Sequence, residues 1–195
     1  MDWNELLTAL RREGLLVSAT AEGVDLAGLG IDTRTIGPGQ LYCAVRGTTS
    51  DGHGFAAEAV AKGAVAVMGE RTMGAGVPEI LVADGRRAAS AAARAWYRDP
   101  AASMTLIGIT GTNGKTTTTG LVRHLFNANG TAGSIGTLGA FDGAGQPVPS
   151  TAGSLTTPGP VDLHATFAEL RNRGVTHVAM ETSSHSLDQG RLDGL

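Results

Sequence analysis

Residues 104–129 read MTLIGITGTNGKTTTTGLVRHLFNAN. The apolar run 104–110 reads as a strand, and TTTGLVRHLFNAN (117–129) as a helix that Gly130 ends. Between them lies Gly111-Thr112-Asn113-Gly114-Lys115-Thr116-Thr117. A glycine-rich loop that leaves a strand and opens a helix is the setting of a phosphate-binding loop. Its glycines let successive backbone N–H groups turn toward phosphate oxygens, and the helix adds its partial positive N-terminus. Lys115 is then placed to reach the outer phosphates, and the Thr116 hydroxyl to bind Mg²⁺. The strict G-x-x-x-x-G-K-[ST] spacing fails, because Ile109 stands where the first glycine belongs, so the loop is a shorter variant. The plainer alternative is a glycine-rich strand-to-helix turn whose Lys and Thr are merely solvated.

Toward the C-terminus the alternation continues. GSIGTLGA (133–140) reads as one strand, FDGAGQPVPSTAGS (141–154) as a turn-rich mobile stretch, PVDLHATFAELRNR (160–173) as a helix between Pro160 and Gly174, and VTHVAM (175–180) as a strand. Strands alternating with helices predict a parallel sheet with crossover helices. In such sheets ligands sit beyond the carboxyl ends of strands, where Glu181 follows VTHVAM. Glu181 is therefore either a second Mg²⁺ ligand beside Thr116, since that ion prefers oxygen donors, or a cap of the Ser/Thr-rich turn 182–186.

Toward the N-terminus, residues 3–16 carry apolar groups at Trp3, Leu6, Leu7, Leu10 and Leu15, a helical period that ends near Gly14. LYCAV (41–45), AVAVM (64–68) and EILVA (79–83) read as strands, with helices expected over about 55–62 and 84–99, the second capped by Asp84. Residues 1–100 thus form a small α/β unit, Pro100–Ser103 a linker, and residues 104–195 the start of a second unit.

Composition excludes several classes. There are 29 glycines in 195 residues without a collagen period, 42% hydrophobic and 17% charged residues, and a net charge of −3 with no basic stripe. Nucleic acid and membrane are therefore not expected partners, and no obligate protein partner is implied. The N-terminus lacks the apolar block of a signal peptide, so the expected compartment is the cytoplasm. Cys43, alone of its type, reads as a core residue. His53 reads as loop-shaping; His124, His164 and His177 as structural or surface; Arg86 and Arg87 as a solvated helix face; and His185 as an open case beside the proposed site.

The motifs IDTR (31–34), PGQLYCAVRG (38–47), DGHGF (51–55), GAVAVM (63–68), GITGTNGKTTTT (108–119), LTTP (155–158) and METSSHSLDQGR (180–191) together resemble the Mur ligase family of peptidoglycan synthesis, in the branch that adds the third residue of the stem peptide. The resemblance implies a UDP-MurNAc-binding N-terminal domain over 1–100 and an incomplete ATP-binding central domain over 104–195. It implies ATP-dependent addition of a diamino acid, diaminopimelate or lysine, to UDP-MurNAc-L-Ala-D-Glu through an acyl phosphate. Gly111 to Thr117 would hold ATP, Thr116 and Glu181 would bind Mg²⁺, and Lys115 and Glu181 would be catalytic. Ile31 and Thr33 match the uridine-holding positions, with Thr33 in place of the usual Ser; Thr48, Thr49 and Ser50 match a nucleotide-contacting loop; Thr156, Thr157, Ser183, Gln189 and Arg191 match contacts to the muramoyl peptide and its phosphates.

The family also has an aspartate–histidine motif, a carbamate-bearing lysine and an amino-acid-selecting domain that this sequence does not contain. The expectation is an N-terminal fragment inactive in ligation by itself. Two other functions stand beside it, a non-catalytic UDP-sugar or nucleotide-binding module and an unrelated P-loop NTPase. A generic NTPase has no use for the DTR and ETSSHSLDQGR sets.

Overall fold

The computed structural model describes residues 1–47, 50–128, 130–149 and 156–195. The chain divides into two compact units, Met1–Trp96 with Gly194 and Tyr97–Asp193 with Leu195.

In the first unit, helix α1 (Trp3–Arg12) opens on a capping box: the Asp2 carboxylate accepts from Glu5 N at 2.8 Å, and the Glu5 carboxylate from Asp2 N at 3.0 Å. Its buried residues are Trp3, Leu6, Leu7 and Leu10. The helix stops at Arg12, with Glu13 as its C-cap and Gly14 in the left-handed region at φ 68°, the end near Gly14 that the sequence predicts. The residues beyond it form β1 (Leu16–Ala19), which sequence reading did not find. Then follow β2 (Gly28–Gly30), β3 (Gln40–Cys43), α2 (Ala56–Ala61), β4 (Ala66–Gly69), β5 (Glu79–Val82) and α3 (Gly85–Trp96). The sheet order is β1-β5-β4-β3-β2, parallel except for β1 against β5. Strand alternation sends Tyr42 and Val67 into a cluster with Ile36, Ala56 and Ala59 on the α2 side. As expected, the Asp84 carboxylate caps α3, accepting from the Arg86 and Arg87 amides at 3.0 Å each. Cys43 is fully buried, and burial pushes its thiol up to about 12, which leaves it inert.

The second unit runs β6 (Thr105–Ile109), α4 (Lys115–Phe126), β7 (Ala132–Gly136), β8 (Gly139–Phe141), β9 (Pro147–Val148), α5 (Pro160–Asn172), β10 (His177–Glu181) and α6 (Ser184–Asp188). The sheet order is β6-β10-β7-β8-β9. The first three strands are parallel and the last two antiparallel, so the sheet is mixed. The predicted strand 133–140 breaks at Thr137-Leu138 into β7 and β8, a reversal that Gly139 permits at φ 102°. Nor is 141–149 a loose stretch. Arg123 donates to the carbonyls of Ala132 and Asp142, Asn127 donates to Gly143 O, and Arg173 pairs with the Asp142 carboxylate at 3.0 Å, pinning the β8–β9 turn. Residues 150–154 of that prediction lie outside the described residues. Pro100–Ser103 is a 3-10 turn with Pro100 and Ala101 buried rather than a bare linker. Among the described residues no helix is long and apolar enough to cross a membrane.

Alternation along β10 positions the chemistry. Val178 and Met180 join Ile135, Leu163, Phe167 and Leu170 in the core under α5. His177, Ala179 and Glu181 therefore face the other side, where His177 stacks on Phe126 of α4 at 5.7 Å between ring centroids. Glu181, the last residue of the strand, thus lies on the α4 face at its carboxyl end.

Candidate functional site

The phosphate loop runs from the end of β6 into the first turn of α4, with Gly111 at φ 146° and Gly114 at φ 80°, values that disfavour side-chained residues. Lys115 Nζ folds back to donate to Gly111 O at 2.8 Å, so its charge lies over the loop. A cleft of about 310 Å³ opens beside it between α4 and the β7–β8 hairpin, and both Thr116 and Glu181 line it. The Glu181 residue is only 2% exposed. Its carboxylate accepts from the Thr137 amide at 3.0 Å and the Thr137 hydroxyl at 3.2 Å. It reaches that place across Gly136, where a Cβ would come within 2.3 Å of Glu181 Oε1.

Thr116 and Glu181 offer a hydroxyl and a carboxylate, the hard oxygen donors that suit Mg²⁺. Among the described residues no three His, Cys, Asp or Glu gather as a self-sufficient cage. An ion held here would complete its shell with phosphate and water oxygens, as Mg²⁺ commonly does, so the residues fit it. The alternative role of Glu181 as a cap of the following turn is not seen. That cap is Ser183, whose hydroxyl accepts from Ser186 N at 3.1 Å.

Beside Glu181 the structure collects the remaining predicted residues of this unit. The Thr157 hydroxyl, on a residue 1% exposed, donates to Glu181 O at 2.9 Å and accepts from Ser183 N at 3.3 Å. That hydroxyl ties β10 to the 156–159 segment instead of facing solvent. The Thr137 hydroxyl reaches Thr156 Oγ1 at 3.1 Å. Arg191 donates from Nη1 to Thr157 O at 2.8 Å, and from Nε and Nη2 to Gln189 Oε1 at 2.9 and 2.6 Å.

In the first unit a cleft of about 480 Å³ is lined by Ile31, Thr33 and Ser50, together with Asp32, Arg34, Tyr42, Phe55 and Glu58. Thr48 and Thr49 lie outside the described residues. Asp32 holds the Arg34 guanidinium through three contacts of 2.5 to 3.0 Å, and that hydrogen bonding lowers its carboxyl below the usual range. Lys62, paired with Glu58 at 2.7 Å, donates to Thr33 O at 2.8 Å and steadies the 31–34 turn. Tyr42 donates its hydroxyl to Gly52 O at 3.0 Å, and burial raises it to about 12. His53 is buried: its Nε2 accepts from Glu70 N at 2.9 Å, so Nδ1 carries the proton toward Asp51 at 2.6 Å. Arg86 also differs from expectation. Its Nε and Nη2 donate to Arg46 O at 3.1 and 2.8 Å, so this part-exposed side chain also clamps the backbone at Arg46 beside the cleft.

A family model described as Mur ligase middle domain matches residues 109–195, and one described as Mur ligase family, catalytic domain, matches residues 25–97. The chain belongs to the Mur ligase family. The two Mur ligase matches take in the phosphate loop with Glu181 and Arg191 in one, and the Ile31–Thr33 cleft in the other. The UDP-N-acetylmuramoyl-L-alanyl-D-glutamate--2,6-diaminopimelate ligase of Agrobacterium fabrum is 45% identical over 174 residues, 88% of this chain and 34% of that protein. The protein of the same name from Geobacillus kaustophilus is 43% identical over 171 residues, 87% of this chain and 34% of its own. A solved structure of a ligase with that name superposes at a TM-score of 0.68 with 28% identity, covering 87% of this chain and 34% of that one. This Mur ligase chain therefore spans about a third of the length of the curated relatives it matches.

Sequence reasoning missed Gly136, Thr137 and Thr119, whose hydroxyl is buried in the second-unit cleft without a hydrogen-bond partner among the described residues. Glycines at 136 and 139 around a Thr-Leu pair were a readable turn signal for the first two; Thr119 closes the GITGTNGKTTTT motif, but nothing in that run marks its hydroxyl as buried.

Proposed function

We propose that this Mur ligase chain binds ATP with Mg²⁺ on its phosphate loop and UDP-MurNAc-L-Ala-D-Glu through the predicted substrate residues, in an ATP-dependent ligation that adds a diamino acid. Gly111 to Thr117 hold the ATP phosphates, with Lys115 at the outer ones; Ile31, Thr33 and Ser50 serve the uridine end; Thr156, Thr157, Ser183, Gln189 and Arg191 serve the muramoyl peptide. Thr157 takes part by shaping, since its hydroxyl is engaged with Glu181 and Ser183.

The reaction has two steps. An oxygen of the D-glutamate γ-carboxylate attacks the γ-phosphorus and ADP leaves, giving an acyl phosphate. The diamino acid's amine nitrogen then attacks the acyl carbon, loses a proton, and expels inorganic phosphate. A carboxylate resists amine attack until one of its oxygens becomes such a leaving group. Lys115 and the loop amides stabilise charge on the transferred phosphoryl group, and Arg191 orients an anionic group of the acceptor. Thr116 and Glu181 would hold Mg²⁺, which would further neutralise the phosphates.

The observation that supports this reading is the buried Glu181 carboxylate in one cleft with Thr116, directly beside the Thr157–Arg191 cluster. The reading makes small molecules the partners and the cytoplasm, where ATP is abundant, the compartment. Calorimetric titration of UDP-MurNAc-L-Ala-D-Glu tests it: Arg191→Ala is expected to weaken binding by roughly 10-fold or more, the scale of a charged hydrogen bond. Unchanged affinity removes Arg191 from the site.

A further inference from the structure

Glu181 is 2% exposed, and among the described residues its carboxylate draws its hydrogen bonds from Thr137 alone. Oε1 accepts from the Thr137 amide at 3.0 Å, and Oε2 from the Thr137 hydroxyl at 3.2 Å. The hairpin explains why the amide is available. Gly136 pairs with Gly139, which leaves Thr137 and Leu138 as a two-residue turn between β7 and β8. The Thr137 N–H takes no part in that closing pair and needs an acceptor elsewhere. Glu181, at the end of the neighbouring strand β10, supplies it across the side-chain-free Gly136.

The hydroxyl has a second neighbour. Thr137 Oγ1 lies 3.1 Å from Thr156 Oγ1, yet it carries a single proton. An ionised carboxylate can only accept, so the Thr137 proton goes to Glu181 and Thr156 donates its own proton to Thr137.

We infer that Thr137 is a positioning residue for Glu181: its amide and its hydroxyl grip one carboxylate oxygen each and together fix the carboxylate plane in the cleft shared with Thr116. The amide alone, bonded to Oε1, leaves the group free to turn about that bond. The hydroxyl removes this freedom. A carboxylate already held in one orientation loses less freedom on taking an ion, and partners of this kind tune metal affinity. The inference rests on the proposal that Thr116 and Glu181 hold Mg²⁺, and adds what aims the carboxylate.

Two variants separate the hydroxyl from the shape of the turn. Thr137 is exposed, so both are expected to fold. Thr137→Val keeps the amide and the branched shape and removes the hydroxyl; Thr137→Ser keeps the hydroxyl and removes the methyl. The probe is a non-hydrolysable ATP analogue, titrated by calorimetry in EDTA and at a series of Mg²⁺ concentrations. Thr137→Val is expected to need roughly 10-fold more Mg²⁺ than the parent for half of the metal-dependent gain in affinity, the scale of losing a partner of a metal ligand. Thr137→Ser should match the parent to within about 2-fold. In EDTA all three proteins should bind the analogue alike. An unchanged Mg²⁺ requirement in Thr137→Val overturns the inference. So does equal impairment of both variants, or affinity lost equally in EDTA, since either would mean that the side chain acts through the shape of the turn. A parent that gains no affinity from Mg²⁺ refutes the metal reading itself, and the inference falls with it.

Discussion

In the second unit, the groups that face Thr116 lie at the carboxyl ends of two neighbouring parallel strands, Gly136 closing β7 and Glu181 closing β10. In the first unit, the cleft around Ile31 and Thr33 is assembled from turns: the 31–34 segment held by Lys62, the backbone at Arg46 clamped by Arg86, and Phe55 at the entry to α2. One cleft is set by sheet register and burial, the other by ion pairs and carbonyl clamps near solvent. A single methyl group can therefore spoil the first kind, whereas the second yields piecemeal as individual contacts are removed.

The largest effect is expected where a charge meets ligand phosphate. Lys115→Ala should weaken ATP binding by roughly 10- to 100-fold, the range for hydrogen bonds to charged groups. Binding of UDP to the first unit should stay unchanged, as measured by parallel titrations. Loss of both would show that the two clefts do not act independently. Next comes the register-built site itself. Gly136→Ala places a methyl within 2.3 Å of Glu181 Oε1 and should cost about 1–3 kcal/mol in urea unfolding, the usual penalty for overpacking. An alanine variant as stable as the parent would show that Glu181 moves freely.

The smallest effect belongs to the first unit. The His53 ring, first, and the His53 amide hold the Asp51 carboxyl down to about 2 from an ordinary 3.8. Because the folded value is the depressed one, this contribution is complete above about pH 4 and is lost as pH falls through 2. Thermal melting between pH 4.5 and 2 should therefore fall less steeply in His53→Ala than in the parent; identical slopes would exclude the pair as a source of acid sensitivity.

Legibility in the sequence followed the same division. The strand–loop–helix of 104–129 could be read because its residues are contiguous, and Glu181 because it ends an apolar strand. The break of 133–140 into two strands escaped because its apolar content is continuous, and only the glycines around Thr137-Leu138 mark the reversal. β1 escaped because Leu16–Ala19 is a four-residue strand with too little alternation to stand out after Gly14. Tyr42, Phe55 and Glu58 could not be assigned to the first cleft from sequence, since what joins them to Ile31 is strand pairing between distant segments. The roles of Arg86 and His53 depend on single backbone atoms, Arg46 O and Glu70 N, that no side-chain pattern encodes.

The central claim is that Thr116 and Glu181 share one metal–nucleotide site. It is tested most directly by titrating a non-hydrolysable ATP analogue into the protein with Mg²⁺ and with EDTA, for the parent and for Glu181→Gln. The account predicts affinity that rises with Mg²⁺ in the parent and a much smaller rise in Glu181→Gln. The same Mg²⁺ dependence in both proteins would contradict it.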